Sequence, residues 1–211
     1  MKLIVVSNRE PYRVEASRGR SRFERTVGGL VSALEPVLKE NGGLWICWGR
    51  KGQKTPLEVK VTENFTMKQV PLTSADVSEY YYGFSNETLW PLSHMFLMRT
   101  RFNHNYWVGY RRVNRKFARG VMESYTGGAK ILVNDYHLSL VPKLLRDMGV
   151  SDPIYFFWHI PFPPYFMLRF LPPRREILEG MLGADVIGFH TQHYVNNFLE
   201  CVREILGAFS E

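Results

Sequence analysis

The chain reads as an α/β protein built on a doubly wound, largely parallel sheet. Three observations predict this. Short apolar runs recur along the chain, at residues 3–6, 44–48, 131–133, 154–158 and within the strand expected at 185–188. Stretches with apolar residues at helical spacing separate them. The clearest case is 130–164, where the run at 131–133, an interval with Leu140, Val141, Leu144, Leu145 and Met148, and the run at 154–158 form strand, helix, strand. That order implies parallel strands, and in open α/β sheets ligands bind beyond the carboxyl ends of the strands.

The first run, Leu3-Ile-Val-Val6, is a buried strand closed by Ser7-Asn8-Arg9. It is too short for a signal-peptide core. Residues 10–27 carry Arg13, Arg18, Arg20, Arg22 and Arg25 and read as a long, mobile, basic loop. Gly28-Gly29 then opens a helix with Leu30, Ala33, Leu34, Val37 and Leu38, which Pro36 ends or kinks. Paired glycines serve turn geometry, or let a ligand approach the helix amides. After the strand at 44–48 comes a turn, Gly49-Arg-Lys-Gly52, and two weaker strands at 57–61 and 67–71. Thr73 or Ser74 caps a helix through 76–82. The aromatic run Tyr80-Tyr81-Tyr82 leads through polar turn residues to Leu89-Trp90-Pro91. Such rings belong to a core or line a sugar site.

A long helix is expected over 105–125, with Trp107, Tyr110, Val113, Phe117 and Val121 inward. Its stripe of Arg111, Arg112, Arg115, Lys116 and Arg119 reads as a solvated face, with nucleic-acid contact the lesser reading. Past His159 follow a proline-rich bend, a short helix and a helix over 174–182. A strand at 185–188 and a helix capped by Thr191 close the pattern. The total is about six strands with helices between them.

Composition narrows the function. The 211 residues suffice for one α/β domain, and a net charge of +7 favours an acidic ligand or a solvated basic face. Two cysteines, Cys47 and Cys201, make neither a disulfide framework nor a zinc cluster, so a reducing cytoplasm is the default setting. The aromatic run at 155–171 is broken by prolines, His159 and Arg169 and is not a membrane span. No G-x-G-x-x-G, Walker loop, G-x-S-x-G or H-E-x-x-H motif occurs. Four strand ends carry polar groups: Arg9, Asp135, His159 and His190. Arg9 suits a phosphate, Asp135 suits hydroxyls, and His159 donates, accepts or titrates near neutrality. An Asp after a strand also serves as a turn former, and a lone His as a satisfied structural group. Together at one sheet edge they point to a phosphorylated polar ligand.

At Ser7-Asn8-Arg9, Gly28-Gly29-Leu30, Leu89-Trp90-Pro91, Asn134-Asp135-Tyr136-His137-Leu138, 157–163 (Phe-Trp-His-Ile-Pro-Phe-Pro) and Gly188-Phe189-His190-Thr191, the chain resembles the trehalose-6-phosphate synthase family. The resemblance runs nearly end to end. It implies a Rossmann-like domain, 1–211, as the N-terminal, acceptor-side half of a GT-B glycosyltransferase. Such enzymes transfer glucose with retention from UDP-glucose, or another nucleotide-glucose, to glucose 6-phosphate, without a metal or other cofactor. By the same resemblance, Arg9 binds the acceptor phosphate and Tyr81 and Trp90 shape the acceptor pocket. Asp135 binds an acceptor hydroxyl, His159 binds the donor glucose, and Gly28 and Gly29 approach the donor diphosphate. Asp135 and His159 are the expected catalytic pair. Retention in the family is ascribed to front-face attack, the leaving phosphate helping to deprotonate the acceptor. Asp135 is then no half of a glycosidase carboxylate pair.

The chain departs from the family pattern in three ways. The nucleotide-binding C-terminal domain is absent from these 211 residues, so a donor domain or separate partner chain is expected, and an uncovered face favours homo-oligomers. Pro163-Pro164-Tyr165-Phe166 follows the proline motif in place of a more polar stretch, and residues 10–27 are unusually rich in arginine. These last two leave room for another acceptor, such as glycerol 3-phosphate. A sugar-phosphate-binding module without catalysis is the other alternative.

Overall fold

The computed structural model describes residues 2–17, 20–49 and 57–207. Seven strands form the main sheet, in the order β5-β6-β4-β1-β7-β8-β9. They are β1 Lys2–Val6, β4 Gly43–Trp48, β5 Leu57–Lys60, β6 Phe65–Val70, β7 Ala129–Asn134, β8 Ile154–Phe157 and β9 Val186–Gly188. All neighbours pair in parallel except β5 with β6. The chain builds outward from β1 to one side through β4 and β6, then returns and builds to the other through β7, β8 and β9. The order therefore reverses between β1 and β7, the position at which open α/β sheets form their binding crevice.

Both faces of the sheet are covered, as strand alternation requires. Ile4 and Val6 enter one core and Val5 the other. The larger core gathers under the helices 74–93, His104–Met122, Val141–Asp147, Arg174–Met181 and Gln192–Leu206. The smaller lies under the helix Gly29–Asn41, around Val5, Trp45, Cys47, Phe65 and Met67. Each holds one free, fully buried cysteine, Cys201 in the larger and Cys47 in the smaller. Burial pushes both thiols up, Cys201 to about 12.

The structure corrects the reading of residues 10–27 as a mobile loop. They hold an antiparallel hairpin, β2 Tyr12–Ser17 paired with β3 Arg20–Arg25. Tyr12 and Val14 alternate inward onto the smaller core, while the intervening Arg13 stays exposed. Arginine density masked this period-two pattern. Buried Glu35 fastens the hairpin, accepting from the Tyr12 hydroxyl and pairing with Arg25 and Lys39. These donors overcome the effect of burial and hold the Glu35 carboxyl at about 2.

Pro36 does not end its helix, which continues to Asn41. Ser32 and Pro36 are both exposed, so water can serve the carbonyl that proline leaves unpaired. The helix capped by Thr73 also outruns its expected end, continuing to Ser93 with a widely wound middle, Val77–Leu89. Gly83 does not break it. A Cβ there would meet the Tyr106 ring at 2.5 Å, so the glycine admits the neighbouring helix. That neighbour, His104–Met122, is shorter than the expected 105–125 at its far end. Helix also begins later than expected after β7, at Val141, following a single tight turn at Tyr136–Leu138. The turn expected at Gly49-Arg-Lys-Gly52 lies outside the described residues from Arg50 onward.

Part of the basic stripe on His104–Met122 is structural. Arg112 and Lys116 both pair with Asp76, which is 1% exposed, and Arg112 also reaches Glu79. Among the described residues no helix is long and apolar enough to cross a membrane.

Candidate active site

One cavity of about 940 Å³ opens at the carboxyl ends of β1, β4 and β7, beside the hairpin. Arg9 follows β1, Asp135 follows β7, and His159 lies just past β8, so the reversal point of the sheet is flanked by a guanidinium and a carboxylate. Of the residues expected at the site, Arg9, Gly28, Gly29, Tyr81, Asp135 and His159 all line this cavity. Trp90 does not. It stacks on His94 at 4.1 Å between ring centroids, on the surface at the end of its helix. His190 lies outside the lining too, with its ring 5.7 Å from that of His159.

Each group is held from below. The Ser7 hydroxyl accepts from Trp45 Nε1 at 2.7 Å and donates to the Arg9 carbonyl at 2.8 Å, which fixes the turn that projects Arg9. Arg9 Nη2 donates to the Tyr81 hydroxyl at 3.2 Å, its single hydrogen-bond partner among the described residues and a neutral one, which leaves the cation available to an anion. Gly28 has φ 175°, extended backbone open to any residue, so turn geometry does not demand it. A Cβ on Gly28 or Gly29 would meet nothing within 4 Å. The helix start, uncapped by any side chain, thus faces the cavity with bare amides.

Asp135 sits at φ 77° and ψ 160°, a region that non-glycine residues avoid at a cost of about 1–3 kcal/mol. The conformation turns the carboxylate back onto the strand ends. Its Oδ1 accepts from the amides of Tyr136 at 2.9 Å and His159 at 3.2 Å. Burial works to raise this carboxyl, but the neighbouring His137 and the Tyr136 amide outweigh it and hold Asp135 below the usual carboxylate range.

His159 Nε2 lies 3.1 Å from Asn134 Oδ1. The Asn134 amide nitrogen donates to the carbonyls of Val6 and Leu132, which leaves its oxygen to accept. Nε2 therefore carries the proton, and in the neutral ring Nδ1 is the acceptor. Burial pushes His159 below its ordinary value, the Asp135 charge opposes this, and His190 adds to the lowering.

Trp48, Asn8 and His137 are among the lining residues to which the sequence assigns no role. Trp48 reads in the sequence only as a strand residue, yet its ring packs on Tyr81 at 5.6 Å and its buried Nε1 has no partner among the described residues. Asn8 Oδ1 accepts from the Tyr80 hydroxyl at 2.9 Å, and its buried amide nitrogen has no partner among the described residues. His137 stacks on Tyr81 at 5.8 Å and 13°. Asn8 and His137 stand within motifs of the family resemblance and all three lie near strand ends, but neither signal tells a lining side chain from a packed one.

The fold and this cavity define an α/β protein with a polar ligand site at the reversal point of a doubly wound sheet. Among the described residues no cluster of potential metal ligands occurs. Residues 1–211 match glycosyltransferase family 20, and the chain belongs to that family. It is 43% identical over 211 residues to the trehalose-6-phosphate synthase of Mycolicibacterium vanbaalenii, covering 97% of this chain and 43% of that one. A crystal structure of a UDP-forming α,α-trehalose-phosphate synthase from Burkholderia xenovorans is similar with TM-score 0.87 at 37% identity, over 100% of this chain and 44% of that one. A structure of such an enzyme from the same organism in complex with glucose-6-phosphate has TM-score 0.84 and 32% identity, over 97% and 44%. The chain thus spans less than half the length of these relatives.

Proposed function

We propose that this chain is the acceptor-side half of a retaining glucosyltransferase of GT-B architecture that moves glucose from UDP-glucose to glucose 6-phosphate. The observation that carries the reading is Arg9 and Asp135, a cation and a carboxylate on adjacent strands, facing one cavity across the sheet's reversal point. Arg9 takes the acceptor phosphate beside Tyr81, and Asp135 takes a sugar hydroxyl. His159 and the amides at Gly28 and Gly29 face the donor. Trp90 lies outside the cavity lining and has no role in this reading. A second, nucleotide-binding domain, in the same protein or in a partner chain, completes the donor site, and a reducing cytoplasm suits the free cysteines.

In this reading the chain supplies positioning and electrostatics rather than a nucleophile. Asp135 orients the acceptor hydroxyls, Arg9 anchors the far end of the acceptor, and His159, largely neutral at pH 7, offers hydrogen bonds rather than a charge.

Calorimetric titration of the 211-residue chain with glucose 6-phosphate, glycerol 3-phosphate and UDP-glucose tests the proposal. Glucose 6-phosphate should bind best of the two acceptors, and Arg9→Ala should weaken it by about tenfold or more, the scale of one charge-assisted contact. Preference for glycerol 3-phosphate would move the reading to a related synthase. Binding indifferent to Arg9 would sink the phosphate assignment.

A further inference from the structure

The basic stripe on His104–Met122 divides in the structure. Arg112 and Lys116 turn to Asp76 and belong to the fold. Arg111, Arg115 and Arg119 are exposed, and their side chains make no hydrogen bond or ion pair among the described residues. They stand four residues apart and so form one row along the helix, with a rise of about 6 Å from each to the next. No Asp or Glu occurs within His104–Met122. The nearest acid in sequence, Glu123, follows the helix, and Lys68 holds it at 2.9 Å. Cations on other helices are treated differently: Lys39 pairs with Glu35, Lys143 with Asp147, Arg175 with Glu179 and Arg203 with Glu204. Like charges at a spacing of four weaken a helix. This helix therefore carries a repulsion that the described residues do not relieve.

A polyanion laid along the row relieves it. We propose that Arg111, Arg115 and Arg119 bind the phosphate backbone of a nucleic-acid strand, indifferent to its sequence. Guanidinium forks match phosphate oxygens, and all three cations of the row are arginines. Their regular step suits successive phosphates of an extended strand. The net charge of +7 and pI near 9.5 add a long-range attraction for such a partner. Other anionic partners fit less well. A membrane surface needs an exposed apolar face on the helix. Here that face is spent on the core through Trp107, Tyr110, Val113, Phe117 and Val121. Val108 is the one large apolar side chain that the helix exposes. An acidic peptide is recognised through apolar anchors as well as charge, and the same face offers only Val108 for them. The row shows no exposed ring on which a base could stack, so binding is to the backbone alone. None of the three arginines lines the 940 Å³ cavity, and the proposal is independent of the acceptor reading.

The test is fluorescence anisotropy of a labelled single-stranded oligonucleotide with the 211-residue chain, repeated across a salt series. Three phosphate contacts should give a slope of about −2 for the logarithm of affinity against the logarithm of salt. Arg111→Gln, Arg115→Gln and Arg119→Gln combined should weaken binding about tenfold or more at low salt and bring the slope towards zero. Each substitution alone should remove about 0.7 of the slope, which keeps the reading available if the triple variant loses stability. The row triple should hold or raise its urea midpoint, because it removes like-charge pairs. Lys143→Gln, Arg175→Gln and Arg203→Gln combined lowers the positive charge equally but on cations that already have acid partners, and should stay within about twofold of the parent. No binding by the parent at low salt overturns the proposal. So does equal loss in the two triple variants, which would reduce the effect to net charge. Polyglutamate, or vesicles of phosphatidylcholine and phosphatidylserine, binding as tightly as the oligonucleotide would overturn the choice of partner. None of these outcomes bears on the acceptor site, which stands on Arg9 and Asp135.

Discussion

Asp76 and Asp135 are two aspartates with depressed carboxyls and opposite employment. Asp76 is saturated. Arg112 and Lys116 pair with it, and Thr73 supplies both its amide and its hydroxyl. Its backbone is ordinary helix. Asp135 takes two amides on one oxygen, has the other 3.6 Å from His137 Nδ1, and sits in a conformation that the chain adopts only at a cost. Both oxygens of Asp76 are committed to the fold, whereas one oxygen of Asp135 has no hydrogen bond among the described residues. A low carboxyl pKa marks both and distinguishes neither; that oxygen and the strain do.

The largest expected break is at Asp76. Asp76→Ala leaves two cations facing a buried hole and should cost about 3 kcal/mol of stability in urea denaturation, the low end for an orphaned buried pair. Ligand affinity of the folded fraction should stay within about twofold of the parent. Asp135→Ala should weigh the other way, weakening glucose 6-phosphate by about tenfold or more while costing less stability than Asp76→Ala, because it loses two amide hydrogen bonds and leaves the backbone strain as it was. Equal damage to both properties by either variant would erase the distinction.

Acid sharpens the comparison. The Asp76 carboxyl lies at about 2 in the fold against an ordinary 3.8. A depressed carboxyl contributes stability that is complete above its unfolded value and is lost as pH falls through the folded one. Stability should therefore decline between about pH 4 and pH 2, and Asp76→Asn should flatten that decline when unfolding is followed by circular dichroism. The smallest effect belongs to Asp135→Gly. Glycine is at ease at φ 77°, so the loss in stability should be smaller than in Asp135→Ala by about 1 kcal/mol or less, resolvable as a shift in urea midpoint.

Much of this was legible in the sequence because it rests on short-range rules. Apolar runs ending at Arg9, Asp135 and His159 marked three strand ends, and helical spacing between them implied parallel pairing, which placed those residues on one edge. Thr73 and Thr191 announced their helices by capping. Errors arose where local punctuation conflicts with packing. The helix from Thr73 runs past its expected end because Gly83 admits the Tyr106 ring, and Pro36 reads as a stop until its exposure is known. The hairpin at Tyr12–Ser17 hid behind arginines. The roles of Trp48 and His137 depend on rings that meet only after residues far apart in sequence pack around Tyr81.

The two buried cysteines turn the molecule into its own stopwatch. One thiol lies on each side of the central sheet, and neither has solvent access or an ionised form near neutral pH. A thiol-directed reagent can reach them only through transient opening. Labelling rates at Cys47 and Cys201, resolved by mass spectrometry, would time the breathing of the two sides separately, with no substitution introduced. A ligand that braces the hairpin side should slow the Cys47 clock more than the other, so occupancy of the cavity could be read from a covalent tag placed well away from it.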